Sequence, residues 1–168
     1  MHQDMTDLFG GAPTIKALSV WEPWASLIAA GVKRHETRHW ETTYRGPIAI
    51  QAARTLDLAG APDQLCQDVL GPLWPKERPR GRVVAVAYLS DCIPTDRVLQ
   101  ELTAADREAG NYAAGRFAWR LDDIRPLTEP IPLTGRQGLF NWEQPQDLRE
   151  RLEAPRDHHR ACTKVGWA

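Results

Sequence analysis

Gly31-Val32-Lys33-Arg34-His35-Glu36-Thr37-Arg38 brings a turn residue, an ammonium, a carboxylate and a guanidinium together within eight positions. Upstream, Trp21-Glu22-Pro23-Trp24-Ala25-Ser26-Leu27-Ile28-Ala29-Ala30 is an apolar run of helical character. Pro23 suits the first turn of that helix, where a missing amide proton costs nothing. Gly31 ends it by taking the left-handed backbone that helix C-termini favour. Downstream, Trp40 and Tyr44-Arg45-Gly46-Pro47 lead into the alternating Ile48-Ala49-Ile50-Gln51-Ala52, a strand pattern. A helix end that delivers a cation, an anion and flanking aromatics to one spot is arranged for a small polar ligand.

The rest of the chain organises around this centre. Ile15 to Val20 alternates and reads as a first strand, and residues 32–40 and 46–52 read as two more, joined by a loop over 41–45. Residues 56–70 have mixed helical spacing, and the proline- and charge-rich 71–80 reads as loop. Residues 81–90 carry Val83, Val84, Val86 and Leu89, the β-branched and apolar signature of a buried strand. Thr95 to Ala109 resembles a surface helix, Phe117 to Leu121 a strand, and Asp122-Asp123 a turn. Residues 124–133, interrupted by proline, fit an edge strand. Leu148 and Leu152 stand at helical spacing amid alternating charge, which predicts a last surface helix. Periodicity thus gives an α+β domain over 15–142, with a polar leader at 1–14 and a helical extension at 143–168.

Composition narrows the function classes. The chain has 168 residues, 42% hydrophobic and 26% charged, with a formal net charge of −1, so a packed core is expected and a uniformly basic nucleic-acid surface is not. Charge is nevertheless segregated. Lys33, Arg34, Arg38, Arg45 and Arg54 outnumber Glu36 and Glu41, and Lys76, Arg78, Arg80 and Arg82 surround only Glu77. That pattern permits one basic face, enough for a short anionic ligand. No apolar stretch approaches the ~20 residues of a membrane span, no signal-like N-terminus is present, and the expected location is cytoplasmic. Three scattered cysteines, Cys66, Cys92 and Cys162, read as reduced thiols.

Three segments carry a family resemblance. Leu18-Ser19-Val20-Trp21-Glu22-Pro23-Trp24, the spaced set Gly31, Lys33, Glu36 and Arg38, and Tyr44-Arg45-Gly46-Pro47 with Ile50 resemble the ASCH (activating-signal-cointegrator homology) domain. The similarity continues through Gly81 to Cys92 and ends in Ile131 to Trp142. It implies a small PUA-like β-barrel flanked by helices, and RNA- or nucleoside-directed work. Some small members are amidohydrolases that release the acyl group of N4-acetylcytidine, and others are ribonucleases. The working lysine of those amidohydrolases matches Lys33. Their threonine three positions later is Glu36 here, with Thr37 adjacent, and their catalytic glutamate finds its nearest counterpart in Asp91.

Candidate catalytic residues are therefore Lys33, Glu36 and Asp91; candidate ligand-binding residues are Trp21, Arg38, Trp40, Tyr44 and Arg45. A lysine beside Arg38 would have its charged form disfavoured, while a nearby Glu36 would favour it; a surface Lys–Glu pair would do little. Glu36 and Arg38 share strand parity and face one side. Lys33 joins them only if it still belongs to the turn after Gly31. A carboxylate suits the exocyclic amine of cytosine or adenine, and cations suit carbonyl and phosphate oxygens. Trp21, Trp24, Trp40, Tyr44 and Trp142 form the aromatic set on which splayed bases could stack, with Trp21 and Trp40 the favoured pair. Asp91 either points into the same cleft or caps the loop to Pro94.

Other chemistries lack support. Ser19 and Ser90 are candidate pocket hydroxyls, but no Ser-His-Asp order or nucleophile elbow accompanies them. His35 and His39 are four apart in a strand, and His158-His159 with Cys162 has no second pair at finger spacing, so no metal is expected. No glycine-rich phosphate loop appears and no cofactor is implied. The leading expectation is a basic cleft that binds single-stranded RNA or a modified nucleoside. A hydrolase acting on the same ligands is the alternative, with a protein-interaction domain third. Lys33→Ala is expected to abolish binding without unfolding the protein.

Overall fold

The computed structural model describes residues 14–156. The leader, apart from Thr14, and the pair His158-His159 with Cys162 lie outside the described residues. Six strands form one sheet: β1 (Thr14–Glu22), β2 (His35–Arg38), β3 (Gly46–Leu56), β4 (Arg82–Pro94), β5 (Phe117–Pro132) and β6 (Leu139–Glu143). Their order is β2-β5-β4-β3-β1-β6. Neighbours are antiparallel except β1 and β3, which run parallel with Leu18 opposite Ile50. Among the described residues five short helices decorate it: α1 (Trp24–Ala29), α2 (Asp63–Leu70), α3 (Thr95–Val98), α4 (Ala104–Glu108) and α5 (Leu148–Arg151). No helix among the described residues is long and apolar enough to cross a membrane.

The sheet is buried on both faces. Leu18 and Val20 of β1, Ile48 and Ile50 of β3, and Leu89 of β4 meet Trp119 and Leu121 of β5 in one cluster. Ala17, Ala49, Val83 and Val86 turn the other way and meet Leu127, Phe140, Trp142 and Leu148. This two-sided burial explains why residues 83–87 are all buried and read as a continuous apolar run rather than an alternation. Helix α1 is short because it sits between two constraints. Pro23 accepts the amide of Leu27 at 2.9 Å, and Gly31 takes φ 81° to end it. The Leu27 carbonyl accepts the amides of both Val32 and Lys33 at 3.2 Å, which satisfies one of the carbonyls a helix end leaves open.

Four expectations change. The barrel is not closed: β2 and β6 are the two edges, and β2 pairs only with β5. The outer backbone of β2 is met by side chains instead. Asp106 Oδ1 accepts the amides of Arg34 (3.0 Å) and His35 (3.2 Å), while Lys33 Nζ donates to the His35 carbonyl (2.7 Å) and Arg116 to that of Thr37 (3.0 Å). An edge satisfied in this way has no further strand to recruit. Second, Asp122-Asp123 is not a turn: β5 runs through it, with Asp123 at φ 47° where one extra residue bulges against β4, a conformation aspartate tolerates. The prolines of 124–133 fall where β2 no longer pairs, so that half of β5 keeps edge character.

Third, the helix over 95–109 splits into α3 and α4. Thr103 restarts it by accepting the Asp106 amide at 3.0 Å, an N-cap bond. Fourth, the segment after residue 142 joins the core. Leu148 is buried against Leu127, and Leu152 bridges to Leu127 on β5.

Candidate functional site

Lys33, Glu36 and Arg38 converge. Lys33 precedes β2 and belongs to the turn after Gly31, which lets it reach the side that Glu36 and Arg38 face. Lys33 Nζ stands 3.4 Å from Glu36 Oε2, and Arg38 Nε lies 3.0 Å from Glu36 Oε1. The carboxylate is thus flanked by two cations. Lys33 also donates to the carbonyls of His35 and Ala109, both at 2.7 Å. Two of the three donors of its ammonium are thus spent on backbone carbonyls, and the charge is paired with Glu36. Arg38 donates to the Ser19 carbonyl at 2.8 Å, tying β2 to β1 across the space between them.

These residues line a cleft of about 470 Å³ between β1, β2, the loop before α2 and the turn after α4, within the ordinary size range of small-molecule sites. Trp21 stands at it half exposed, at 52%, and Trp24 forms part of its wall. Asn111 and Arg116 close the far side. The Asn111 amide donates to Thr37 Oγ1 (3.1 Å), and Arg116 Nε to the Asn111 carbonyl (3.1 Å). The cleft is not basic, contrary to expectation. Lys33, Arg38 and Arg116 line it together with Glu36, Asp57 and Glu108, so charges of both signs are balanced there.

Behind the wall, His35 and Asp106 form a buried pair, Nδ1 to Oδ2 at 2.5 Å. Burial pushes the Asp106 carboxyl up. The hydrogen bond and charge of His35, with the Arg34 amide, outweigh it and hold the group below its ordinary range. The Tyr112 hydroxyl, 3.3 Å from Asp106 Oδ1, is raised by burial and by that carboxylate. Under α1, buried Glu22 accepts the Ser26 amide (3.1 Å) and hydroxyl (2.8 Å), yet burial still raises its pKa.

Four of the residues singled out from sequence lie elsewhere. Trp40 is packed edge-on against Trp119, centroids 4.5 Å apart, as part of the core cluster. Tyr44 donates to the Pro47 carbonyl at 2.6 Å and packs on the same cluster. Arg45 and Asp91 pair with each other at 3.4 Å, and Asp91 also accepts the Cys92 amide at 2.8 Å. None of the four lines the cleft. The physical reason is that the chain turns away at 41–45 to enter β3, which lies three strands from β2. Residues that sequence reasoning missed are Glu108, at the end of α4, and Asp57, Asn111 and Arg116, which come from loops with no pattern of their own. Among the described residues no group of three potential ligands could hold a metal. Cys66 and Cys92 are buried, and burial pushes the Cys66 thiol up to about 11, which leaves it without nucleophilic character.

The comparisons match this architecture. The ASCH domain model matches residues 18–131. Activating signal cointegrator 1 of Homo sapiens is 24% identical over 134 residues; the match takes in 75% of this chain, which spans only 22% of that protein. A tyrosine-to-phenylalanine mutant of the ASCH protein of Zymomonas mobilis superposes with a TM-score of 0.51 at 19% identity, covering 82% of this chain and 98% of that one. Another ASCH structure from Zymomonas mobilis gives 0.49 at 18% identity, with 83% and 96% covered. With the Gly31-to-Arg38 element at the head of its cleft, the chain belongs to the ASCH domain family.

Proposed function

We propose that the cleft binds a nucleobase, presented by single-stranded RNA or by a modified nucleoside. The observation that carries this reading is the Lys33–Glu36–Arg38 array beneath the exposed face of Trp21. Each Glu36 oxygen keeps acceptor capacity beyond its cation and suits an exocyclic amine. Arg38 keeps guanidinium donors beyond its bond to Ser19 and its ion pair with Glu36, and these suit a ring carbonyl. Trp21 offers the stacking surface. The near-balanced charge of the cleft fits a neutral, hydrogen-bonding base better than a phosphate.

The disposition of Lys33 favours binding over hydrolysis. It donates to the carbonyls of His35 and Ala109 and pairs its charge with Glu36, which supports a positioning role over attack on an acyl group. Asp91, the nearest counterpart of a second catalytic acid, is engaged by Arg45 away from the cleft. Titrating cytidine, adenosine, N4-acetylcytidine and a pentaribonucleotide against tryptophan fluorescence tests the reading. Quenching that Trp21→Leu and Glu36→Gln each diminish is the expected result. Release of acetate or cleaved RNA would replace the reading with the hydrolase one, and silence to every ligand would leave a protein partner as the occupant.

A further inference from the structure

Ser19 lines two depressions, not one. Beyond it lies a second, of about 420 Å³, bounded by Gln51, Arg54, Thr134 and residues 135–137. Its floor is built. Gln51 is 1% exposed; its Nε2 donates to the Leu133 carbonyl at 2.9 Å, while its Oε1 is buried without a partner. The loop is held against this floor by the Arg136 amide, which donates to Ser19 Oγ at 3.1 Å. Gly135 permits the approach: a Cβ there would stand 2.6 Å from Ser19 Oγ and 2.8 Å from Gln51 Oε1.

The rim has the charge the first cleft lacks. Arg54 and Arg136 are exposed, and neither is paired with a carboxylate among the described residues. The sheet also brings the second basic segment to this place. Arg82 pairs with Ala52 across β3 and β4, Gly81 donates to the Ala52 carbonyl at 2.6 Å, and Arg80 donates to the Arg54 carbonyl at 3.5 Å. The Arg82 guanidinium bonds the Pro130 carbonyl at 3.3 Å. The rim itself carries two cations, Arg54 and Arg136, and no carboxylate; the second basic stretch runs beside it.

We infer that the second depression is a sugar–phosphate subsite for the strand whose base occupies the first cleft. Arg54 and Arg136 take the phosphodiester, over a floor that Gln51 and Gly135 close. The inference rests on the base-binding reading and deepens it: the ligand is an oligoribonucleotide rather than a free nucleoside. A base enters the charge-balanced cleft, the backbone crosses Ser19, and the next phosphate meets the arginines.

The test compares cytidine with a mixed-sequence pentaribonucleotide and its deoxy counterpart, each titrated against the full chain and against Arg54→Ala/Arg136→Ala. Both arginines are exposed, so the variant should fold, and its thermal midpoint checks that. The inference expects the wild type to bind both pentamers more tightly than cytidine. The double variant should bind the ribo-pentamer about ten-fold more weakly, with a salt slope lower by ~1, and cytidine unchanged. Unaltered pentamer affinity and salt slope in the variant would overturn the subsite while leaving the base cleft standing. Pentamers bound no more tightly than cytidine by the wild type would likewise overturn the subsite. Failure of the wild type to bind cytidine or either pentamer would instead remove the base-binding reading, and the subsite with it.

Discussion

His35 and Asp106 meet at 2.5 Å across 71 residues of sequence, and through that contact the turn carrying α4 is fastened to the strand that carries Glu36. Asp106 also accepts the Arg34 and His35 amides and the Tyr112 hydroxyl. The far wall of the cleft therefore depends on one buried carboxylate.

Asp106→Ala should destabilise the protein by about 3 kcal/mol, because it strands several buried donors at once. Urea denaturation measures it. The pH dependence follows from the lowered Asp106 pKa, whose ordinary value is 3.8. A folded-state pKa below the unfolded one gives stability that is present above the unfolded value and lost as pH falls through the folded value. Acid unfolding below about pH 4 should accordingly be less steep in Asp106→Asn than in the wild type.

Lys33→Ala should not be a silent probe of the cleft. It removes the donor for two buried carbonyls and leaves Glu36 with Arg38 alone. A loss of about 2–4 kcal/mol is expected, so its binding is to be read at temperatures where it is folded. Glu36→Gln in the Lys33→Ala background should recover part of that loss, and a double-mutant cycle in urea reads the coupling.

Trp21 and Trp40 should part company on mutation. Trp21→Ala removes an exposed ring, so stability should move by less than about 0.5 kcal/mol, while binding of a base weakens by ~1–3 kcal/mol. Trp40→Ala removes the partner of Trp119 and should cost about 3 kcal/mol of stability, with nucleoside affinity preserved at temperatures where it is folded. Paired thermal-melt and fluorescence titrations separate the two.

Glu22→Gln should leave stability unchanged or raise it at neutral pH. The Glu22 pKa is raised from 4.5, chiefly by burial. A group shifted upward contributes stability that is full below its unfolded pKa and lost as pH rises through the folded one. A carboxamide can still accept the Ser26 amide and donate to its hydroxyl, without the buried charge. If the variant is less stable than the wild type at pH 7, the bonds to Ser26 matter more than the desolvation they offset.

Local chemistry made part of this molecule readable from its residues. Gly31 at φ 81° after an apolar helix, the valines of β4, and the Glu36–Arg38 parity are each fixed by neighbours in the chain. Long-range pairing was not readable. Ala109 offers Lys33 only a carbonyl, which every residue has, and Arg116 reaches Thr37 across 79 positions. Asp122-Asp123 carries turn residues, yet the bulge they form continues β5 because pairing with β4 holds on either side of it, at Asp122 and again at Arg125. Trp40, Tyr44 and Arg45 were drawn to the site by nearness in sequence, and the crossing from β2 to β3 carries them off.

Strand β1 is made first and buried between β3 and β6. Its parallel partner begins at Gly46, but its antiparallel partner begins only at Leu139. On the ribosome, Ile15 and Ala17 must therefore wait for Phe140 and Trp142 to emerge before their apolar face is covered. A nascent chain halted before β6 exposes an unpaired strand edge beside uncovered alanine and isoleucine. The sheet thus closes over the first made of its strands with the last.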